Sequence, residues 1–190
     1  AVGQGATANA SGATAVGQSA NASNSGASAF GQFSTATGAS STAIGFASSA
    51  AGGSGTALGA GASAGGGNST AFGAGTNASG TQSTALGQNA QATAQGAVAL
   101  GRGSIADQAN TVSVGTPTAL RRIVNVAPGT APSDVATVSQ LGFTGVNSFN
   151  LPPPVATGIA SSALAVGARA TGNFAFAAGQ SSVASGDFST

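Results

Sequence analysis

The tripeptide Ala-apolar-Gly returns every 14 residues, eight times without a slip: at Ala1, Ala15, Ala29, Ala43, Ala57, Ala71, Ala85 and Ala99, with Val, Val, Phe, Ile, Leu, Phe, Leu and Leu in its middle place. Ser113-Val114-Gly115 continues the count. A period this strict means that each repeat is one turn stacked on the last, so the chain reads as a solenoid. Seven residues beyond each leading Ala stands a second alanine column, Ala8 through Ala106, and two residues before it every turn is small, as at Ala20, Ser34 and Thr76. Immediately before each tripeptide comes a mostly β-branched column: Thr14, Ser28, Thr42, Thr56, Thr70, Thr84, Val98 and Val112.

These period-2 pairs predict two short strands per turn. Gly and β-branched residues at this density oppose helix, and no 3.6-residue period is present. The glycine closing each tripeptide marks a corner whose φ other residues resist. By size, the β-branched residue and the apolar residue of the tripeptide are expected to face the core, with the small pair facing inward from the second strand. The leading-Ala column, Ala1 to Ala99, is then expected on the outside as a flat surface where neighbouring backbones meet. One bulky side chain per turn is a thin core, so association between copies is the natural remedy.

Composition removes most chemistry. Seven charged side chains, four Arg and three Asp, occur in 190 residues, and Cys, His, Met, Trp, Tyr, Lys and Glu are absent. Four scattered Arg cannot build the basic face that a phosphate backbone needs, so no nucleic-acid partner is expected. Gly59-Ala60-Gly61 and Gly101-Arg102-Gly103 lack the third Gly and the Lys of a phosphate loop. The three Asp are too dispersed for an acid pair or a calcium repeat. No catalytic residue, metal, cofactor or small-molecule substrate is expected. No run of about 18 apolar residues occurs, so a membrane anchor is expected outside this sequence. Two other readings stand beside the solenoid. A flexible linker is disfavoured by the fixed register, and an ice-binding solenoid displaying the Thr column is disfavoured by the alternation that puts this column inside.

Five of the seven charges, Arg102, Asp107, Arg121, Arg122 and Asp134, fall between positions 102 and 134, where the repeat stops. Ser133 to Leu141 predicts a short amphipathic helix, Ser133 at its N-cap and Val135, Val138 and Leu141 on one face. After Leu151-Pro152-Pro153-Pro154 the repeat restarts at Leu164-Ala165-Val166-Gly167 and returns as Phe176-Ala177-Ala178-Gly179 after 12 residues. The expected organisation is a head over 1–115, a neck over 116–142, a Pro-rich connector over 143–157 and a second head beginning at 158–190.

Repeats around Ala-apolar-Gly, followed by Thr111-Val112-Ser113-Val114-Gly115 and then Arg121-Arg122-Ile123-Val124-Asn125-Val126-Ala127-Pro128-Gly129 through Asp134 to Gln140-Leu141, resemble the trimeric autotransporter adhesins with YadA-like heads. The resemblance covers nearly the whole chain. It implies an all-β fold, a left-handed parallel β-roll per chain, assembled as a homotrimer with a neck that passes each chain to its neighbour. It implies a bacterial cell-surface adhesin, anchored in the outer membrane through another part of the protein, that attaches to host cells or extracellular-matrix proteins and causes bacteria to clump. A structural spacer of a surface fibre, without a ligand of its own, is the alternative. The neck correspondence falls on Arg121, Arg122, Asn125, Asp134, Gln140 and Leu141, with Arg121 or Arg122 expected to pair with Asp134 of another chain. The plain alternative is solvated Arg side chains on an end cap. A collagen-linked Asn-Ser-apolar-Ala-apolar-Gly motif is approached only at Asn68-Ser69-Thr70-Ala71-Phe72-Gly73, with Thr at the first apolar place.

Overall fold

The structure, a computed structural model, describes residues 1–140 and 154–190. It falls into two units, Ala1–Arg122 and Ile123–Thr190, each described by itself. In the first unit every 14-residue coil contributes one strand to each of two parallel eight-stranded sheets. One sheet runs from Thr14–Val16 to Val112–Ser113 and is made mainly of three-residue strands. The other runs from Thr7–Ala8 to Ile105–Ala106 in two-residue strands. Thr14, Ala15 and Val16 lie beside Ser28, Ala29 and Phe30, and the same columns remain aligned up to Val98 and Ala99 beside Val112 and Ser113. Identical positions therefore stack at the inter-strand spacing, about 4.8 Å per coil.

The two sheets lie so close that only small side chains fit between them. Every buried apolar residue among the described residues is alanine, and the largest fully enclosed side chains are Thr76 and six serines. Four inward positions recur in each coil, represented by Ala27, Ala29, Ser34 and Ala36, all fully buried. The small pair of the second strand thus points inward as expected. The first strand faces opposite to the size-based expectation: its leading alanines, including Ala15, Ala29, Ala43, Ala57, Ala71, Ala85 and Ala99, are inside and fully buried. Val16, Phe30, Ile44, Phe72, Leu86 and Leu100 are outside and exposed. The Thr column shares that outer face, half-buried at Thr42, Thr70 and Thr84 and exposed at Thr14 and Thr56. The physical reason is thickness, because a Leu or Phe directed inward would hold the sheets apart and break their close packing.

Several hydroxyls in this narrow interior bond to the corners, whereas the buried Ser69 Oγ and Ser83 Oγ have no hydrogen-bond partner among the described residues. Ser34 Oγ donates to the Gly31 carbonyl at 2.8 Å, Ser48 Oγ to Gly45 at 3.0 Å and Thr76 Oγ1 to Gly73 at 2.8 Å. At the opposite corner Ser41 Oγ donates to the Gly38 carbonyl at 2.7 Å. Where the same place is Ala20, Ala62 or Ala90 the corner carbonyl accepts the backbone N–H alone, so a hydroxyl bonded to its corner is tolerated in the alanine core rather than required by it. Gly45 sets the geometry of its corner at φ +129°, and its N–H donates to the Phe30 carbonyl of the preceding coil at 2.8 Å.

In the second unit the coil restarts at Val155–Ala156, within the stretch expected as connector, and builds a three-stranded and a two-stranded parallel sheet. Ser162, Ala163 and Leu164 lie beside Phe176, Ala177 and Ala178. The spacing is therefore 14 here too, and the 12-residue return expected from Ala165-Val166-Gly167 is wrong. Ala165 stands at the corner where the first unit uses glycine, and it takes the positive φ of that corner, +90°. The helix expected over Ser133–Leu141 does not form among its described residues; a three-residue 3-10 turn, Val138–Gln140, stands there instead.

Candidate functional site

Each coil of the first unit shows two different outer faces. The face of the three-residue strands carries the apolar rank from Val16 to Leu100 beside the Thr rank. The face of the two-residue strands is polar: its outward residues are Thr7, Asn21, Thr35, Ser49, Ser63, Asn77 and Gln91 before Ile105 ends the row. Thr7 Oγ1 donates to Asn21 Oδ1 across neighbouring coils at 3.1 Å. Alternation in a strand makes this contrast, since one residue separates the two inward positions on each side. The aliphatic and phenyl side chains of this row, half open to water, form a continuous apolar strip on the outside of the coils.

Arg121 closes the open end of the first stack. Its guanidinium donates to Ser104 Oγ at 2.7 Å, to the Arg102 carbonyl at 2.5 Å and to the Val114 carbonyl. These acceptors are otherwise last-coil groups with no further coil above them, so the planar fork of Arg replaces a missing ladder. A cleft of about 390 Å³ opens beside it, lined in part by Ile105, Thr111, Val112, Val114 and Leu120. Arg122 is exposed and has no hydrogen-bond or ion-pair partner among the described residues.

The remaining neck residues build a local turn. Asn125 takes the left-handed conformation at φ +61°, which Asn tolerates better than most residues. Asp134 Oδ2 accepts the backbone N–H groups of Ala131 at 2.9 Å and Thr130 at 2.8 Å. Gln140 reaches back to Gly129, donating Nε2 to its carbonyl and accepting its N–H at Oε1, both at 2.8 Å. Leu141 lies outside the described residues. The side chains of Asp134 and Gln140 satisfy the backbone of a turn, an alternative that competes with the expected helix. Val135 and Val138, its intended apolar face, are exposed.

Hydrogen bonds to Ala131 and Thr130 hold the Asp134 carboxyl below its ordinary range. A depressed folded pKa stabilises the turn above the unfolded value and the contribution is lost as pH falls through the folded one. Amide resonances of Thr130 and Ala131 are expected to move upfield together on acidification, with a midpoint below that of a free Asp; Asp134→Asn should abolish the titration. A midpoint at the free-Asp value would contradict the two bonds.

Among the described residues no group of three or more His, Cys, Asp or Glu could hold a metal ion, and no helix is long and apolar enough to cross a membrane. Asn68-Ser69-Thr70-Ala71-Phe72-Gly73 is an ordinary coil segment: Asn68 sits at a positive-φ corner, Ser69 and Ala71 are buried, and Phe72 joins the apolar rank.

A two-faced parallel β-solenoid of alanine-filled coils, closed at one end by an arginine, defines the class of protein. The family model described as YadA head domain repeat (2 copies) matches at 1–20, 8–34, 22–48, 36–62, 50–76, 64–90, 78–104 and 92–116, and again at 170–190. The chain belongs to the YadA head family of adhesins. It is similar to the crystal structure of the collagen-binding domain of the Yersinia adhesin YadA, at 33% identity and a TM-score of 0.59, over 72% of this chain and 84% of that one. No curated protein matches it significantly.

Proposed function

We propose that this chain is the head of a homotrimeric bacterial surface adhesin, held to the outer membrane by another part of the protein, and that it attaches cells to extracellular matrix or host-cell surfaces and to one another. The observation that carries the reading is the pair of faces. An apolar rank repeated over the whole first stack suits burial against other copies, and a polar, almost uncharged row on the opposite sheet suits repeated weak contacts with a long ligand. Repetition makes such contacts strong through effective concentration. Ranked apolar side chains of unequal size, from Val16 to Phe72, also disfavour a flat ice lattice, although the Thr column lies outside. Collagen binding belongs to the Yersinia relative and is the first ligand to test here.

Solid-phase binding of the chain to collagen, fibronectin and laminin is the direct experiment. Saturable binding to at least one is expected, and binding to none, with no attachment to host cells, would leave the spacer reading in its place.

The neck pairing falls to Arg122, because the Arg121 guanidinium is already spent within its own chain. Asp134 uses Oδ2 for its turn, which leaves Oδ1 to accept from Arg122 of a neighbouring copy. Arg122→Ala is expected to lower the melting temperature of the assembly by a few degrees, and the exchange Arg122→Asp with Asp134→Arg to restore it. Arg121→Ala should instead loosen the last coil whatever the assembly. Equal melting of the Arg122→Ala and parent proteins would remove the pairing.

A further inference from the structure

At one corner of the third and fourth coils two phenylalanines stand out from the fold. Phe33 and Phe46 are 48% and 55% exposed, and their rings meet edge to face, with centroids 6.0 Å apart and planes at 78°. Phe33 takes φ +59°, a left-handed conformation unfavourable for a bulky L residue. The same corner place in other coils is filled by Gly5, Ser19, Gly61, Gly75 and Asn89. Neither backbone preference nor burial accounts for a phenyl ring there, and local strain of this kind points toward a surface role.

The polar neighbour of the pair is also singular. Gln4, Gln18 and Gln32 form a ladder up the adjoining column, Gln32 Nε2 donating to Gln18 Oε1 at 2.5 Å and Gln18 Nε2 to Gln4 Oε1 at 3.3 Å. Phe46 takes the next place in that column, so the ladder stops and Gln32 Oε1 accepts no hydrogen bond among the described residues. Two aromatic rings and an exposed amide oxygen that accepts no hydrogen bond from the protein therefore lie in neighbouring columns. No charged side chain occurs before Arg102.

From this juxtaposition we propose that Phe33, Phe46 and Gln32 form a binding station for one ring of a neutral glycan. The apolar C–H face of a pyranose covers an aromatic ring, its rim supplies a hydroxyl or acetamido N–H to Gln32 Oε1, and no charge is required on either side. A proline-rich helix fits less well, because it needs aromatic ridges along a groove, and the next coils offer only Ala60, Gly61, Ala74 and Gly75 at these places. The stacked pair Phe174 and Phe188, with centroids 5.2 Å apart and planes at 7°, differs in its polar neighbours, because Asn173 there already bonds to the Asp187 carboxylate. The station adds a second ligand chemistry to the adhesin reading on which it rests.

Saturation-transfer NMR on the full chain, with cellotetraose and tetra-N-acetylchitotetraose as probes, tests it. Transfer to at least one probe is expected, falling at least tenfold in both Phe33→Asn and Phe46→Gln. Both variants restore a residue that the same column uses elsewhere, so melting should hold or rise, and circular dichroism should be unchanged. The proposal is overturned by absence of transfer to either sugar, by transfer that survives both substitutions, by Phe-dependent binding of decaproline in place of sugar, or by a change of oligomer mass in the variants, which would make the corner an interface between copies. Sugar transfer absent with matrix binding intact removes this station alone; matrix binding absent in the parent chain removes the adhesin reading instead.

Discussion

Gly45→Ala is expected to destabilise the first stack by about 3–5 kcal/mol, among the largest single-residue effects in the molecule. Two independent costs meet there. The backbone stands at φ +129°, a region that L side chains rarely adopt, and a β-carbon would lie 2.6 Å from the Gly59 carbonyl oxygen of the next coil. Neither can relax without the other, because the N–H of Gly59 is itself held by the Ile44 carbonyl at 2.9 Å. Gly53→Ala provides the internal comparison: no atom lies within 4 Å of the added methyl, and its φ is unremarkable. Its effect should stay within about 0.5 kcal/mol, the usual range for an exposed position away from such constraints. Thermal and urea unfolding of the two variants beside the parent measure both values, and similar losses for Gly45→Ala and Gly53→Ala would refute the stacked-corner geometry.

The double substitution Ile44→Asp with Leu58→Asp is expected to abolish self-association at micromolar concentration. In a single chain these side chains stand on the outer face, Ile44 39% exposed, so the coil itself should lose little. Burial between copies changes the balance, since each unpaired carboxylate removed from water costs several kcal/mol and three copies would carry six of them. Thr35→Asp with Ser63→Asp places the same charges on the polar face and should leave the mass unchanged. Sedimentation equilibrium separates the two outcomes, and an undiminished mass for Ile44→Asp with Leu58→Asp would show that the apolar rank is not the contact.

Much of this architecture is legible in the residues, and the failures have physical causes. The 14-residue columns, the paired strands and the corner glycines follow from periodicity and from the steric demands of positive φ. The direction of Ala43 against Ile44 does not, because ranking side chains by hydrophobicity assumes that the core of one chain is the place where apolar area is buried. In a roll this thin the alanine fills the inside, and the isoleucine stands outside it. Ala165 hides the register of the second stack by standing where the first stack has glycine, so the nearby Ala165-Val166-Gly167 is the more visible tripeptide. The helix expected from Ser133 onward satisfied its apolar period, but a segment shorter than about 12 residues needs packing to persist. Asp134 and Gln140 instead bind the backbone of a turn, a competition that periodicity does not register. The aromatic corner could have been found from Phe33 and Phe46 alone, as apolar rings in columns otherwise small, amide-bearing or, at Arg102, charged; its strain and the unpaired Gln32 oxygen required coordinates.

The solution mass of the intact chain bears most directly on whether the apolar face of the coils is a surface shared between copies. Light scattering at the peak of a sizing column should return three times the 17.3 kDa of one chain, with the β-rich circular dichroism of a folded protein. A folded species at 17.3 kDa, stable on dilution with its row of Val, Ile, Leu and Phe left in water, would contradict it.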